Sequence, residues 1–123
     1  MNIDGELKDL DEEIQKQIDE LQQFTREEYG NGAYAESQFR IGKLLHDNYK
    51  NKGALSAWNN ISATDDREIY IPAQWNIGTI LMEDNNFEGA LSIWRSIKQT
   101  DDSKMYAQAQ WNIGLLFDKN GDI

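Results

Sequence analysis

The sequence contains no cysteine. That absence removes disulfides, thiolate metal sites and cysteine nucleophiles together, and it suits a reducing compartment such as the cytosol. Proline is almost missing too, with one in 123 residues, while 28% of the chain is charged. Scarce proline and abundant charge disfavour turn-dense β architecture and favour helices. No apolar run approaches the ~18 residues that a membrane helix needs. Met1 to Leu10 carry acids where a secretion signal carries bases. Neither a membrane span nor export is expected, so the Asn60-Ile61-Ser62 sequon is read as chance.

Basic residues are also in short supply. Twelve Lys and Arg face 22 Asp and Glu, for a net charge of −10. Residues 1–40 hold 11 acids and 4 bases (−7), and residues 41–123 hold 11 and 8 (−3). Nucleic acid is bound through cationic counterion release, so an acidic chain is not expected to bind it directly. A basic protein partner is favoured instead, or the acidity serves solubility alone.

What the chain does contain is a repeat. Tyr34-AESQFRIGKLL, Tyr70-IPAQWNIGTIL and Tyr106-AQAQWNIGLLF align without gaps at a spacing of 36 and again 36. Gly53-Ala54-Leu55-Ser56 with Trp58 and Ile61 recurs as Gly89-Ala90-Leu91-Ser92 with Trp94 and Ile97. In the first segment of each copy, offsets 0, 3, 7 and 11 from the Tyr form one helical stripe. These are Tyr34, Ser37, Ile41 and Leu45, then Tyr70, Ala73, Ile77 and Leu81, then Tyr106, Ala109, Ile113 and Phe117. The second segments are helical by the same spacing, so each copy predicts two amphipathic helices. Asp47 to Lys52 and Glu83 to Asn86 separate the helices of a copy. Thr64-Asp65-Asp66 and Thr100-Asp101-Asp102 separate copies and offer N-caps. Pro72 is placed near its helix start, where a missing N–H costs little. Gly42, Gly78 and Gly114 fall in mid-helix, where glycine costs about 1 kcal/mol against alanine. Their recurrence implies close approach of a neighbouring helix.

Asn76-Ile77-Gly78, with Ala90 and the aromatic Trp94 following at fixed separations, resembles the tetratricopeptide repeat, and Asn112-Ile113-Gly114 repeats the start. Arg40-Ile41-Gly42 with Ala54 and Trp58 is a weaker copy. The likeness covers Ala33 to Asp122. Four features depart from the family. The Trp stands one position late, Ile61 and Ile97 replace a small residue, the period exceeds the family's ~34, and the inter-unit proline is missing. The resemblance implies an all-α fold: a right-handed superhelix of antiparallel helix pairs, as one domain. Repeats then occupy 33–66 and 67–102, with a partial third at 103–123. Residues 1–30 form a long N-terminal capping helix, read from Asp4 to Glu28 with Leu7, Leu10, Ile14, Ile18, Leu21 and Phe24 or Thr25 on one face. That helix either caps the array or pairs with a partner's helix or with a second copy of itself, since its 3 and 4 spacing also fits a short coiled coil. At the other end, the final helix is a cap, the start of a longer array, or a surface that a partner completes.

Catalysis and cofactors are not expected. The single histidine, His46, has Met82 and Asp118 as its counterparts, so no ligand cluster recurs. Glu12-Glu13, Asp65-Asp66 and Asp101-Asp102 are adjacent pairs that diverge around a helix or cap one. Asp118 to Asp122 begins like a calcium loop, but Ile123 stands where glycine is required, and the segment aligns with the turn Met82 to Asn86. No metal site is predicted.

The resemblance implies a concave binding face on the first helices. Carried over, that face holds Phe39, Lys43, Trp75, Asn76, Thr79, Met82, Trp111, Asn112 and Leu115, flanked by Glu36, Arg40, His46, Asp47, Pro72, Glu83, Gln108, Asp118 and Lys119. The aromatics at offset 5 either anchor a partner or fill space between helices. Because offset 5 is aromatic in every copy, the cationic clamp that grips chaperone tails in this family is absent. Asp9, Glu12, Glu13, Asp19 and Glu20 on the N-terminal helix form an acidic face for a basic partner. The expected function is non-enzymatic protein binding, in its specific form inhibition of a cationic toxin such as a nuclease by an immunity protein. The alternative is a scaffold or a self-associating segment of a longer array.

Overall fold

The computed structural model describes residues 10–120. Every regular element among the described residues is an α-helix. In order they are α1 (Glu12–Leu21), α2 (Arg26–Tyr29), α3 (Asn31–Asp47), α4 (Asn51–Asn59), α5 (Arg67–Glu83), α6 (Phe87–Ser96) and α7 (Ser103–Asn120). None is long and apolar enough to cross a membrane. The chain divides within α5 into two compact units, Met1–Ala73 and Gln74–Ile123.

The expected single helix from Asp4 to Glu28 is interrupted. Asp11 accepts from the Glu13 N–H at 2.8 Å and starts α1, which ends at Leu21; Thr25 accepts from the Glu28 N–H at 3.3 Å and starts the one-turn α2. Short polar side chains compete for backbone N–H groups, and here two of them win over a 3–4 apolar spacing that runs straight past them. Gly30, at φ 90°, redirects the chain into α3. Asp4, Leu7 and Asp9 lie outside the described residues. Pro72 stands inside α5, well past its first turn, so it removes the N–H that would donate to Glu68.

The 36-residue period reappears as repeated local chemistry. Asp66 accepts from the Glu68 N–H at 3.0 Å at the head of α5, and Asp102 accepts from the Met105 N–H at 3.0 Å at the head of α7. Their neighbours Asp65 and Asp101 turn back instead, closing the preceding turn on the Ser62 N–H at 2.9 Å and the Lys98 N–H at 3.0 Å. Each adjacent pair thus divides into one cap and one turn clasp. After α3 and α5 the chain passes through left-handed residues, Tyr49 and Asn85, both at φ 63°. The next N–H donates back five residues in both cases, Lys50 to Leu45 and Asn86 to Leu81, each at 2.8 Å. This is the Schellman closure.

In the first unit the predicted stripes are buried: Ser37, Ile41 and Leu45 on α3, with Ala54, Trp58 and Ile61 on and after α4. A clasp of long sequence range closes it. Arg26 donates two bonds to Asp65, at 2.8 and 2.7 Å, and a third to the Asn60 carbonyl at 3.0 Å, while its guanidinium lies 4.2 Å from the Tyr34 ring centre. The Asp65 side chain is 3% exposed and that of Arg26 is 41% exposed. The Arg26 hydrogen bond holds the Asp65 carboxyl below the usual carboxylate range, against the opposing push of burial and with help from the Ser62 N–H. In the second unit Ile77, Ile80, Ala90, Trp94, Ile97, Ala109 and Leu116 are buried.

The glycines explain how the helix pairs close. A Cβ on Gly42 would overlap the indole edge of Trp58 from α4. On Gly78 it would meet Trp94 Nε1 at 2.8 Å and Ile93 Cγ2 at 3.2 Å. Around Gly114 no atom of the described residues lies within 4 Å of that position. Gly42→Ala is therefore expected to cost about 3 kcal/mol by overpacking and Gly78→Ala about 1–2 kcal/mol. Gly114→Ala should gain about 1 kcal/mol of helix propensity. Urea midpoints at constant slope measure all three.

The Arg26–Asp65 pair gives a second expectation. The folded carboxyl titrates below its unfolded value of about 3.9. Its contribution is therefore complete above about pH 5 and is lost as the pH falls through the lower folded value. With Arg26 partly exposed, that contribution is about 1 kcal/mol. The stability difference between the native chain and Asp65→Asn should be flat from pH 5 to 8 and shrink below pH 4, read from denaturant midpoints across pH.

Candidate functional site

In the first unit α1 lies beside α3, leaving a cavity of about 570 Å³. Its apolar floor is Leu21, Phe24 and Leu44, and its charged rim is Glu20 from α1 with Arg40, Lys43 and Asp47 from α3. Lys43 of the predicted face and Glu20 of the predicted acidic helix are thus brought to one opening. Phe39 is half-buried, and its carbonyl accepts a 3.1 Å bond from Trp58 Nε1. His46 stacks at 5.9 Å on the same indole.

Glu12, Glu13, Asp19 and Glu20 are all exposed on α1. Glu12 and Glu13 sit in the first turn, where the helix dipole welcomes negative charge. Asp19 and Glu20 sit in the last turn, where the same dipole opposes them, although Lys16 stands one turn earlier and Arg40 and Lys43 share the cavity rim with Glu20. The helix dipole does not account for these two acids.

In the second unit a cavity of about 460 Å³ is lined by Thr79, Met82 and Glu83 of α5, Trp94 of α6, and Asn112, Leu115 and Leu116 of α7. Four residues expected on the binding face, Thr79, Met82, Asn112 and Leu115, therefore converge. Trp75, Asn76 and Trp111 do not line it. Trp75 is half-buried with its ring 6.3 Å from that of Trp94, Asn76 is half-buried, and Trp111 is 65% exposed. The two tryptophans at offset 5 consequently separate into one that packs on an indole and one that faces solvent. Sequence reasoning assigned Trp94 to the core alone. Its 36-residue kinship with Trp58 gives no sign that its flank also walls a cavity.

The cavity is apolar, edged by the Thr79 hydroxyl, the Glu83 carboxylate and the Asn112 amide, of which Asn112 also accepts from Gln108 at 3.1 Å. Such a surface receives aliphatic or aromatic side chains and orients them with a few polar contacts. Among the described residues no three acids or histidines gather as a metal ion requires.

The two indoles differ in one respect. Trp58 Nε1 donates to the Phe39 carbonyl, whereas the buried Trp94 Nε1 has no partner among the described residues. The carbonyl at the matching position, Trp75, receives the Thr79 hydroxyl at 3.1 Å instead. Trp58→Phe removes a made bond, and Trp94→Phe removes an unmet one. The first should cost about 1 kcal/mol more than the second in chemical denaturation. Comparison with family models, with curated proteins and with solved structures finds no match to this chain.

Proposed function

We propose that the chain is a non-enzymatic protein-binding module built on tetratricopeptide-like repeats, arranged as a right-handed superhelix of helix pairs, and that its partner is a basic protein. The observation that carries this reading is the placement of acids on α1. Asp19 and Glu20 stand exposed at the helix end that disfavours them, on a chain of net charge −10, and Glu20 borders a cavity with an apolar floor. Charge held at a cost to the helix is explained by what it attracts. The apolar hollow lined by Thr79, Met82, Asn112 and Leu115 offers a second contact area, where buried side chains supply affinity while charge supplies on-rate and selectivity. The specific form of the reading is an inhibitor that neutralises a cationic toxin such as a nuclease, in the manner of an immunity protein. Its cysteine-free composition fits the cytosol.

Capture from lysate on the immobilised chain tests it. Basic proteins should be retained at low ionic strength and released as salt screens the charges over a Debye length of about 8–10 Å. Neutralising Glu12, Glu13, Asp19 and Glu20 to their amides should weaken binding of an eluted partner roughly 30-fold, at about 0.5 kcal/mol for each exposed charge. A retained set that is indifferent to salt and to the four substitutions would remove the basis for a basic partner.

A further inference from the structure

We infer that α7 is a self-complementary docking face whose occupant is α7 of a second copy of this chain, packed antiparallel about a two-fold axis. The basis is the interface that the chain forms twice within itself. In the first copy Trp58 sits on Gly42, four residues after Ala54, and both Ala54 and Trp58 are buried. In the second, Trp94 sits on Gly78, four residues after the buried Ala90. Each interface therefore sets an open glycine of one helix under the indole of a neighbour, with a buried alanine four residues before that tryptophan.

The third copy carries both halves on one stripe of one helix. Gly114 has open space where its counterparts hold an indole, and three residues earlier Trp111 is 65% exposed, preceded four residues back by the exposed Ala107. Leu115, 50% exposed, flanks them. By contrast, Ala35, the α3 counterpart of Ala107, is fully buried, and Ile71 on α5 is 4% exposed. A two-fold axis passing between Asn112 and Ile113 sets Trp111 of each copy over Gly114 of the other. It also sets Ala107 opposite Asp118. A face with knob and hole in one register closes as a pair rather than growing into a filament.

The acceptor chemistry fits as well. Trp58 Nε1 donates to the carbonyl at offset 5, and in the second copy the Thr79 hydroxyl takes that carbonyl. In the third copy Leu115 occupies the place of Thr79 and has no hydroxyl to donate. The offset-5 carbonyl, that of Trp111, therefore meets no such competitor for an incoming indole. Trp58 and Trp94 are 1% and 3% exposed and already seated, so Trp111 is the tryptophan that a second copy presents.

Sedimentation velocity across a concentration series tests the inference. The native chain should dimerise, and the dimer should persist at high salt because its contacts are apolar. Trp111→Ala and Gly114→Ala should each weaken dimerisation at least tenfold. Gly114→Ala, whose Cβ meets nothing among the described residues, should keep a melting midpoint at or above that of the native monomer, which separates loss of docking from loss of fold. A chain that stays monomeric, or a dimer indifferent to Gly114→Ala, overturns it. So does saturable binding of a labelled peptide spanning residues 86–98 to a monomeric chain, since a tryptophan-bearing helix of another protein is then the occupant. The inference is independent of the basic-partner reading: salt abolishes that capture and leaves the dimer in place.

Discussion

An indole lying on a glycine is the contact on which the helix pairs depend. Trp58 and Trp94 are the bulkiest side chains of α4 and α6, and each is buried only because the facing helix lacks a Cβ where the ring edge arrives. Glycine in mid-helix is a loss of about 1 kcal/mol. Burying an aromatic ring returns more than that, at roughly 25 cal/mol per Å² over 150–250 Å². The exchange favours the fold only while the indole is present, which is why glycine and tryptophan keep their 16-residue separation in both pairs. Gly114 carries the cost without such a contact among the described residues.

Around that contact the chain reuses small devices at the same interval. The cap at Asp66 returns at Asp102, the turn clasp at Asp65 returns at Asp101, and the left-handed residue at Tyr49 returns at Asn85. Tyr49 is the informative member. Asparagine tolerates a positive φ, whereas tyrosine has no local reason to adopt one and is 94% exposed, so its ring gains little from burial there. The turn geometry is therefore imposed by what it joins, α3 and α4, rather than by the residue that occupies it. The helix pair, more than any single residue, is the unit that must close.

This also marks where the sequence is readable. Periodicity located the helices from α3 to α7, the buried positions Ile41, Leu45, Ile77 and Ala109, and the two Asp-Asp junctions, because each reflects an interaction between residues a few positions apart. It failed at α1 and α2, where Asp11 and Thr25 divert backbone N–H groups and the apolar spacing continues regardless. It also gave no hint of the Arg26 clasp, whose partners lie 34 and 39 residues away and whose members look like ordinary surface charges. For the binding face, the same offset placed Trp75 and Trp111 in one class, although their surroundings differ: one ring meets Trp94 and the other meets solvent. Offset determines direction around a helix, and only the neighbouring helix determines whether that direction is inside.

The two surfaces that folding does not explain are of opposite character. On α1, acids persist at the helix end where the dipole resists them; on α7, Trp111 and Leu115 expose apolar area that a helix surface ordinarily avoids. Charge acts over several ångströms and is screened by salt, whereas apolar contact acts only on touching and depends on shape. A chain carrying both can accept a cationic partner through α1 and a shape-matched helix through α7, and the two compete only where the partner also enters the hollow at Asn112 and Leu115. Their energies rest on different variables, ionic strength for the first and steric register for the second, so the two associations are separable by condition as well as by substitution.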